Sequence, residues 1–259
     1  MTEEMSPAAL RAALEWQREL GVDTAVEPMP VNRFALPDRM PEPARPAGPA
    51  ARPDAARPQA DPIAEAERRA ASAATLPALR DAMASYPFCE LRLGARNLVF
   101  SDGDPSARVM IVGEAPGREE DRQGRPFVGQ AGQLLDRMLA AIGLDRGSDD
   151  PARAVYITNV LPWRPPSNRD PEPGEVAMML PFLKRHVALA APEILVCMGN
   201  HACGAVLGRR GITRLRGQWS DGLGLPVLPM LHPAYLLRQP AAKREAWADL
   251  LALRERLGG

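Results

Sequence analysis

Residues 155–169 read VYITNVLPWRPPSNR, in which a run of β-formers stops at an amide and becomes a stiff, proline-rich, cationic loop. A short run of β-branched and aromatic residues has the pattern of a buried strand. Asparagine is a poor strand residue, so Asn159 marks the place where the strand stops. Its side chain pairs a donor with an acceptor and suits the reading of a heterocyclic base edge. Standing alone, such an asparagine equally closes a strand-to-loop turn.

The pattern recurs outward from this stretch. Further runs lie at Val109–Val112 (VMIV), Ile194–Cys197 (ILVC) and Val227–Met230 (VLPM). Helical patterns lie at Gly132–Ile142, Pro173–Leu189, Ala202–Leu207 and Ala241–Leu257, with another near Ile63–Ser85. Strands alternating with helices predict an α/β fold, a mainly parallel sheet covered on both faces. Ligands of such sheets bind just beyond the carboxyl ends of the strands. The segments leaving those ends are GEAPGREEDRQGRPFVG (113–129), NVLPWRPPSNR (159–169), MGN (198–200) and LHPAYLLR (231–238), and these are the candidate site loops.

A chain of 259 residues that is 46% hydrophobic has ample material for one sizeable core. Three parts are expected. Residues 1–25 carry a short amphipathic helix over Ser6–Leu20, with a serine cap, Pro7 at the first helical position and Gly21 at its end. Residues 26–62 are rich in proline and alanine and read as a disordered linker. Residues 63–259 form the folded body with the site loops. The first helix either docks on its own body or is a tethered peptide for a protein partner.

No apolar run approaches the roughly 20 residues of a membrane span, and MTEEMSPAALRAALEW lacks a basic start followed by an apolar stretch. A cytoplasmic protein with no membrane partner is expected. Cys89, Cys197 and Cys203 are too few and too irregularly spaced for a secreted disulfide framework, so they are expected to be reduced. The net charge is zero, with 9 basic and 12 acidic residues up to Thr75 and 23 and 20 after it. Arginine supplies 30 of the 32 basic residues, which suits phosphate contacts but is equally expected of a GC-rich genome. Charge alone therefore does not decide for nucleic acid.

In their order and spacing, GEAPGREEDRQGRPFVGQAGQLL, NVLPWRPPSNR, ITRLRGQW (212–219) and LHPAYLLR resemble the family 4 uracil-DNA glycosylases, over about Cys89–Leu253. The resemblance implies a three-layer α/β/α sandwich of the uracil-DNA glycosylase fold. It also implies a monomeric, nucleoid-associated enzyme that excises uracil from DNA and leaves an abasic site. Glu114 and His232 would be catalytic: Glu114 orienting water or steadying the sugar cation, His232 donating to uracil O2. Phe127 would stack on the flipped base, Asn159 would read its edge, and Gly113 and Ala115 would line it. Arg164, Asn168, Arg169 and Arg238 would meet DNA, and Leu236 would be the apolar wedge filling the vacated stack. Each residue also has a bland reading: capping for Glu114, core packing for Phe127 and Leu236, a structural ring for His232, solvated charge for the arginines.

One departure stands out. The family holds an iron–sulfur cluster on four cysteines, and the matching positions here are Tyr86, Cys89, Trp163 and Met179. One thiolate cannot hold such a cluster, so no cofactor is expected and the three larger residues are read as filling the vacated volume. Cys197, His201 and Cys203 in CMGNHAC look like metal ligands, but buried thiols are the preferred reading and no metal is expected. A related branch that bonds covalently to DNA carries a KRRIH insertion where this chain has RPPSN, so covalent trapping is not expected. The alternative function is a catalytically weak or silent reader of uracil in DNA. An ordinary nucleotide-binding protein is disfavoured by the lack of GxGxxG or a P-loop.

Overall fold

The computed structural model describes residues 61–258, together with helical backbone at Arg11, Ala13, Leu14, Glu15 and Gln17. Most of the helix expected over Ser6–Leu20, and the expected linker up to Ala60, lie outside the described residues. The chain divides into Met1–Arg57 and Pro58–Gly259, and the second unit holds all of the elements below. At the start of the first described helix, Asp61 accepts from the Ile63 N–H at 2.9 Å and Pro62 takes the first helical position.

In chain order the elements are helices α1 (Pro62–Ser72), α2 (Leu76–Ala84) and α3 (Leu91–Gly94), strands β1 (Asp102–Gly103) and β2 (Val109–Gly113), and helices α4 (Arg118–Gln123) and α5 (Gln130–Ala140). Then come strand β3 (Val155–Asn159), helix α6 (Pro173–Ala190), strand β4 (Ile194–Met198), and helices α7 (Gly199–Leu207) and α8 (Ile212–Leu215). Strands β5 (Ser220–Gly222) and β6 (Leu225–Met230), and helices α9 (Pro233–Arg238) and α10 (Lys243–Arg256), complete the unit. The six strands form one sheet in the order β1-β3-β2-β4-β6-β5. The inner four are parallel and the two edges antiparallel.

Every residue of β2, β3 and β4 is buried, which is why these strands read as near-continuous apolar runs. Their alternate side chains build two cores. Met110, Val112, Tyr156, Leu195 and Cys197 pack with residues of α1, α2, α6 and α7. Val109, Ile111, Ile157, Val196 and Met230 pack with Leu135 and Leu139 of α5 and Leu250 and Leu253 of α10. Helices thus cover both faces, giving the expected three layers.

Pro229 lies inside β6 because its missing N–H would point away from β4. On that side its carbonyl instead accepts from Gly217 N at 3.0 Å. The order places β3 on one side of β2 and β4 on the other, so the chain reverses direction across the sheet at β2. A crevice at the carboxyl ends of β2 and β4 is the consequence. Among the described residues, no helix is long and apolar enough to cross a membrane.

Candidate active site

That crevice is a cavity of about 590 Å³. Of the residues expected from sequence, it is lined by Glu114, Ala115, Phe127, Asn159, Asn168, His232 and Arg238. Gly113, Arg164, Arg169 and Leu236 do not line it.

Asn159 and Gly113 are partners in the parallel register of β3 on β2. The pairing runs on past the strands: Val160 N donates to Gly113 O at 2.9 Å and Leu161 N to Glu114 O at 3.0 Å. Asn159 is buried, and no hydrogen bond engages its side-chain amide among the described residues. Gly113 acts from beneath. A Cβ there would collide with Asn159 Oδ1 and with the Phe127 ring, so glycine is what lets amide and ring approach each other.

Phe127 is held in a conformation unusual for an aromatic residue, with φ at +52°. Such strain costs about 1–3 kcal/mol and persists where the surroundings fix it. Arg146 fixes it, donating to the carbonyls of Phe127 at 2.9 Å and Pro126 at 3.0 Å. Arg146 is itself ion-paired with Asp102 of β1 at 3.1 Å and Asp136 of α5 at 2.7 Å. A second clamp is Glu120, whose carboxylate accepts from the N–H groups of Gly117 at 3.1 Å, Val128 at 3.0 Å and Gly129 at 2.8 Å. It joins the loop after β2 to the loop that starts α5. The Gly117 amide is thereby taken.

His232 caps α9, its Nδ1 accepting from Ala234 N at 3.1 Å. Burial, aided by the positive charge of Arg238, pushes its pKa down to about 4. At neutral pH the ring is therefore uncharged. With Nδ1 accepting, the single proton sits on Nε2. The ring stacks beside Phe127 with centroids 5.4 Å apart. Gly199, at φ +88° where β4 passes into α7, leaves room for it: a Cβ there would lie 3.3 Å from the His232 Cβ. Opposite, Oε2 of Glu114, whose side chain is 35% exposed, lies 3.0 Å from Nδ1 of His201. Asp170 adds a second carboxylate, and one nitrogen or oxygen from each of these three residues lies within 4.8 Å of the others.

Two residues expected to meet DNA are placed differently. Leu236 is 1% exposed and packs with Leu134, Leu231 and Ala246, so it is a core residue and not a wedge. The short helix α9 turns that position inward and leaves Leu237, 40% exposed, and Tyr235 on the outside. Arg169 is tied to Glu175 at 3.0 Å, an ion pair that fastens the start of α6. Arg164 donates to Asn168 Oδ1 at 2.7 Å and so shapes the turn that brings Asn168 to the cavity.

The cluster positions form a packed core. Tyr86, Cys89, Trp163 and Met179 are all buried in one apolar group with Phe182. The Tyr86 hydroxyl donates to Pro62 O at 2.6 Å and its ring meets Phe182 edge-on. Burial pushes the Cys89 thiol up to about 11, away from the thiolate a metal requires. One thiol among three large uncharged side chains does not fit a four-thiolate cluster. Cys197 and Cys203 are likewise free and buried, while His201, their neighbour in sequence, turns to Glu114 instead.

Glu120, Arg146, Asp170 and the placement of His201 escape a reading of the sequence. Each is a lone charged or polar loop or helix residue, and only the partner it meets in space gives it a role. His201 stood out in sequence only as one of three histidines and as part of CMGNHAC, and neither signal points to Glu114.

Residues 100–251 match the family described as the Uracil DNA glycosylase superfamily. A Type-4 uracil-DNA glycosylase of Sulfurisphaera tokodaii is 37% identical over 191 residues, 70% of this chain and 84% of that protein. Those of Archaeoglobus fulgidus and Thermotoga maritima are 39% and 42% identical, over 66% and 58% of this chain and 87% and 77% of their own. A match across more than half of the chain, centred on the sheet and its strand-end cavity, makes this protein a member of the uracil-DNA glycosylase superfamily.

Proposed function

We propose that this chain hydrolyses the N-glycosidic bond of a flipped-out uracil in DNA and leaves an abasic site, the first step of base excision repair. One observation carries the reading: an amide free of hydrogen bonds (Asn159), an aromatic ring (Phe127), a neutral histidine with its proton on Nε2 (His232) and a carboxylate (Glu114) converge on one strand-end cavity. The relatives' names agree with it.

The bond between C1′ and N1 breaks with its electron pair passing to the base. Phe127 stacks on the base. The Asn159 amide accepts from N3–H and donates to O4, a pattern that cytosine reverses. His232 Nε2–H donates to O2 as charge gathers on the leaving base, without the penalty of a proton that would have to move. Glu114 orients the water that attacks C1′. Arg238 and Asn168 line the cavity and Arg164 holds Asn168; in this reading the three meet the phosphates of the flipped nucleotide, and the exposed Leu237 takes the place of the wedge. No step draws on an iron–sulfur cluster, because the residues at its positions do not fit one. We read the enzyme as a cytoplasmic monomer, with residues 1–60 serving a separate purpose such as binding a protein partner.

The test is one incubation with matched oligonucleotides bearing uracil, thymine, hypoxanthine or cytosine, scored for alkali-labile breaks. Breaks at uracil and none at cytosine are expected. Binding to the uracil strand without breaks would favour a silent reader.

A further inference from the structure

His201 stands in the first turn of α7 with its side chain nine-tenths buried. Its Nδ1 is shut off from solvent and has no hydrogen-bond partner among the described residues. That atom lies 3.0 Å from Oε2 of Glu114, close enough for a hydrogen bond but not aligned for one. The Asp170 carboxylate is gathered within 4.8 Å of both. Each of these features works against the fold: an unpaired buried nitrogen loses its hydration, and two neighbouring carboxylates repel. Such a cluster in a cavity points to use there. Hydrogen bonds within catalytic groups are often misaligned before the reacting complex forms, and the Glu114 side chain is exposed enough to turn.

We propose that His201 is a positioning residue for Glu114. Its Nδ1–H holds Oε2, which aims Oε1 at the attacking water and steadies the carboxylate against the charge of Asp170. The proposal rests on the reading of Glu114 as the water-orienting group. In that step the water oxygen bonds to C1′ while the C1′–N1 pair leaves on the base. The proton of the water passes to the Glu114 carboxylate, and His201 keeps its own proton throughout.

The experiment is steady-state kinetics on a uracil oligonucleotide, alongside affinity for the same strand bearing a non-cleavable 2′-fluoro-deoxyuridine. His201→Phe keeps the ring's bulk without the donor. It should lower kcat roughly 10-fold while KM and analogue affinity stay within about 2-fold, the signature of an interaction made only in the transition state. His201→Asn, whose amide nitrogen can stand where Nδ1 stood, should recover most of the rate. In a Glu114→Gln background His201→Phe should add almost nothing, because the two act as a unit. Parental kcat in His201→Phe, losses that multiply with those of Glu114→Gln, or a change confined to KM would each overturn the proposal. So would activity that is abolished by a chelator and restored by Mn²⁺, since the three residues would then be a cation site. If Glu114→Gln alone keeps the full rate, the reading of Glu114 has failed, and this is visible apart from any effect at His201. Should His201→Phe not fold, His201→Gln, whose amide lies beyond the Nδ1 position, should show the same loss of kcat.

Discussion

In the proposed reading Asn159 meets the base through its side-chain amide, and Gly113 beneath lets that amide and the Phe127 ring approach each other. Asn159→Asp tests the reading directly. An ionised carboxylate repels uracil O4 yet accepts from the cytosine amino group, and unpaired desolvated groups cost about 1–3 kcal/mol each. The variant should lose most uracil excision and gain slow cytosine excision, favouring single-stranded or mispaired cytosine. Uracil excision at the parental rate with unchanged preference would make Asn159 a turn residue. For His232, replacement by alanine should lower single-turnover excision by roughly 10²-fold or more, as loss of one donor to a developing anion does. Asn159, Glu114 and His232 could be singled out in the sequence because they stand where strands end, and Phe127 because it lies in the loop that follows β2, while the roles proposed for all four came from the resemblance. Arg146 could not be, since its partners Asp102 and Phe127 are 44 and 19 residues away and in sequence it is one arginine among many.

At the scale of elements, the inner parallel strands announce themselves by apolar runs, whereas β1 and β5 do not. These edges are two and three residues long, built of DG and SDG, and carry no apolar alternation to read. Such short, polar edges also resist pairing with other chains. Helix α9 shows a different difficulty: in six residues, a shift of one position exchanges core for surface. Leu236→Ala should therefore cost about 2–5 kcal/mol in urea unfolding, as deletion of a buried leucine does. Leu237→Ala should leave the unfolding midpoint in place and lower excision from duplex DNA more than from single strands. The reverse pattern would return Leu236 to the wedge.

For the whole molecule, acid should be a specific weakness. Burial pushes His186, which meets the Tyr156 hydroxyl at 2.9 Å and stacks on Phe100, down to about 3, and His232 is pushed down to about 4. Both rings are neutral when folded but take up protons near pH 6.5 when unfolded. Their contribution is complete above about pH 6.5 and is lost as pH falls towards 4 and then 3. Going from pH 7.5 to 5.5 should lower the unfolding free energy by about 2–3 kcal/mol, and His186→Gln should remove about half of that slope. A flat profile over this range would mean that neither ring is held neutral. The packed core around Tyr86, Trp163 and Met179 gives a second expectation at this scale. The purified protein should be colourless and iron-free while fully folded, whereas stoichiometric iron with visible absorption would show that a cluster is held.

The Glu120 carboxylate, which serves amides on both sides of the segment between Gly117 and Gly129, ties the inheritance of two loops together. Neither loop can gain or lose a residue without stranding the other's amides. Descent should therefore leave the length of this segment nearly frozen while its outward-facing letters drift.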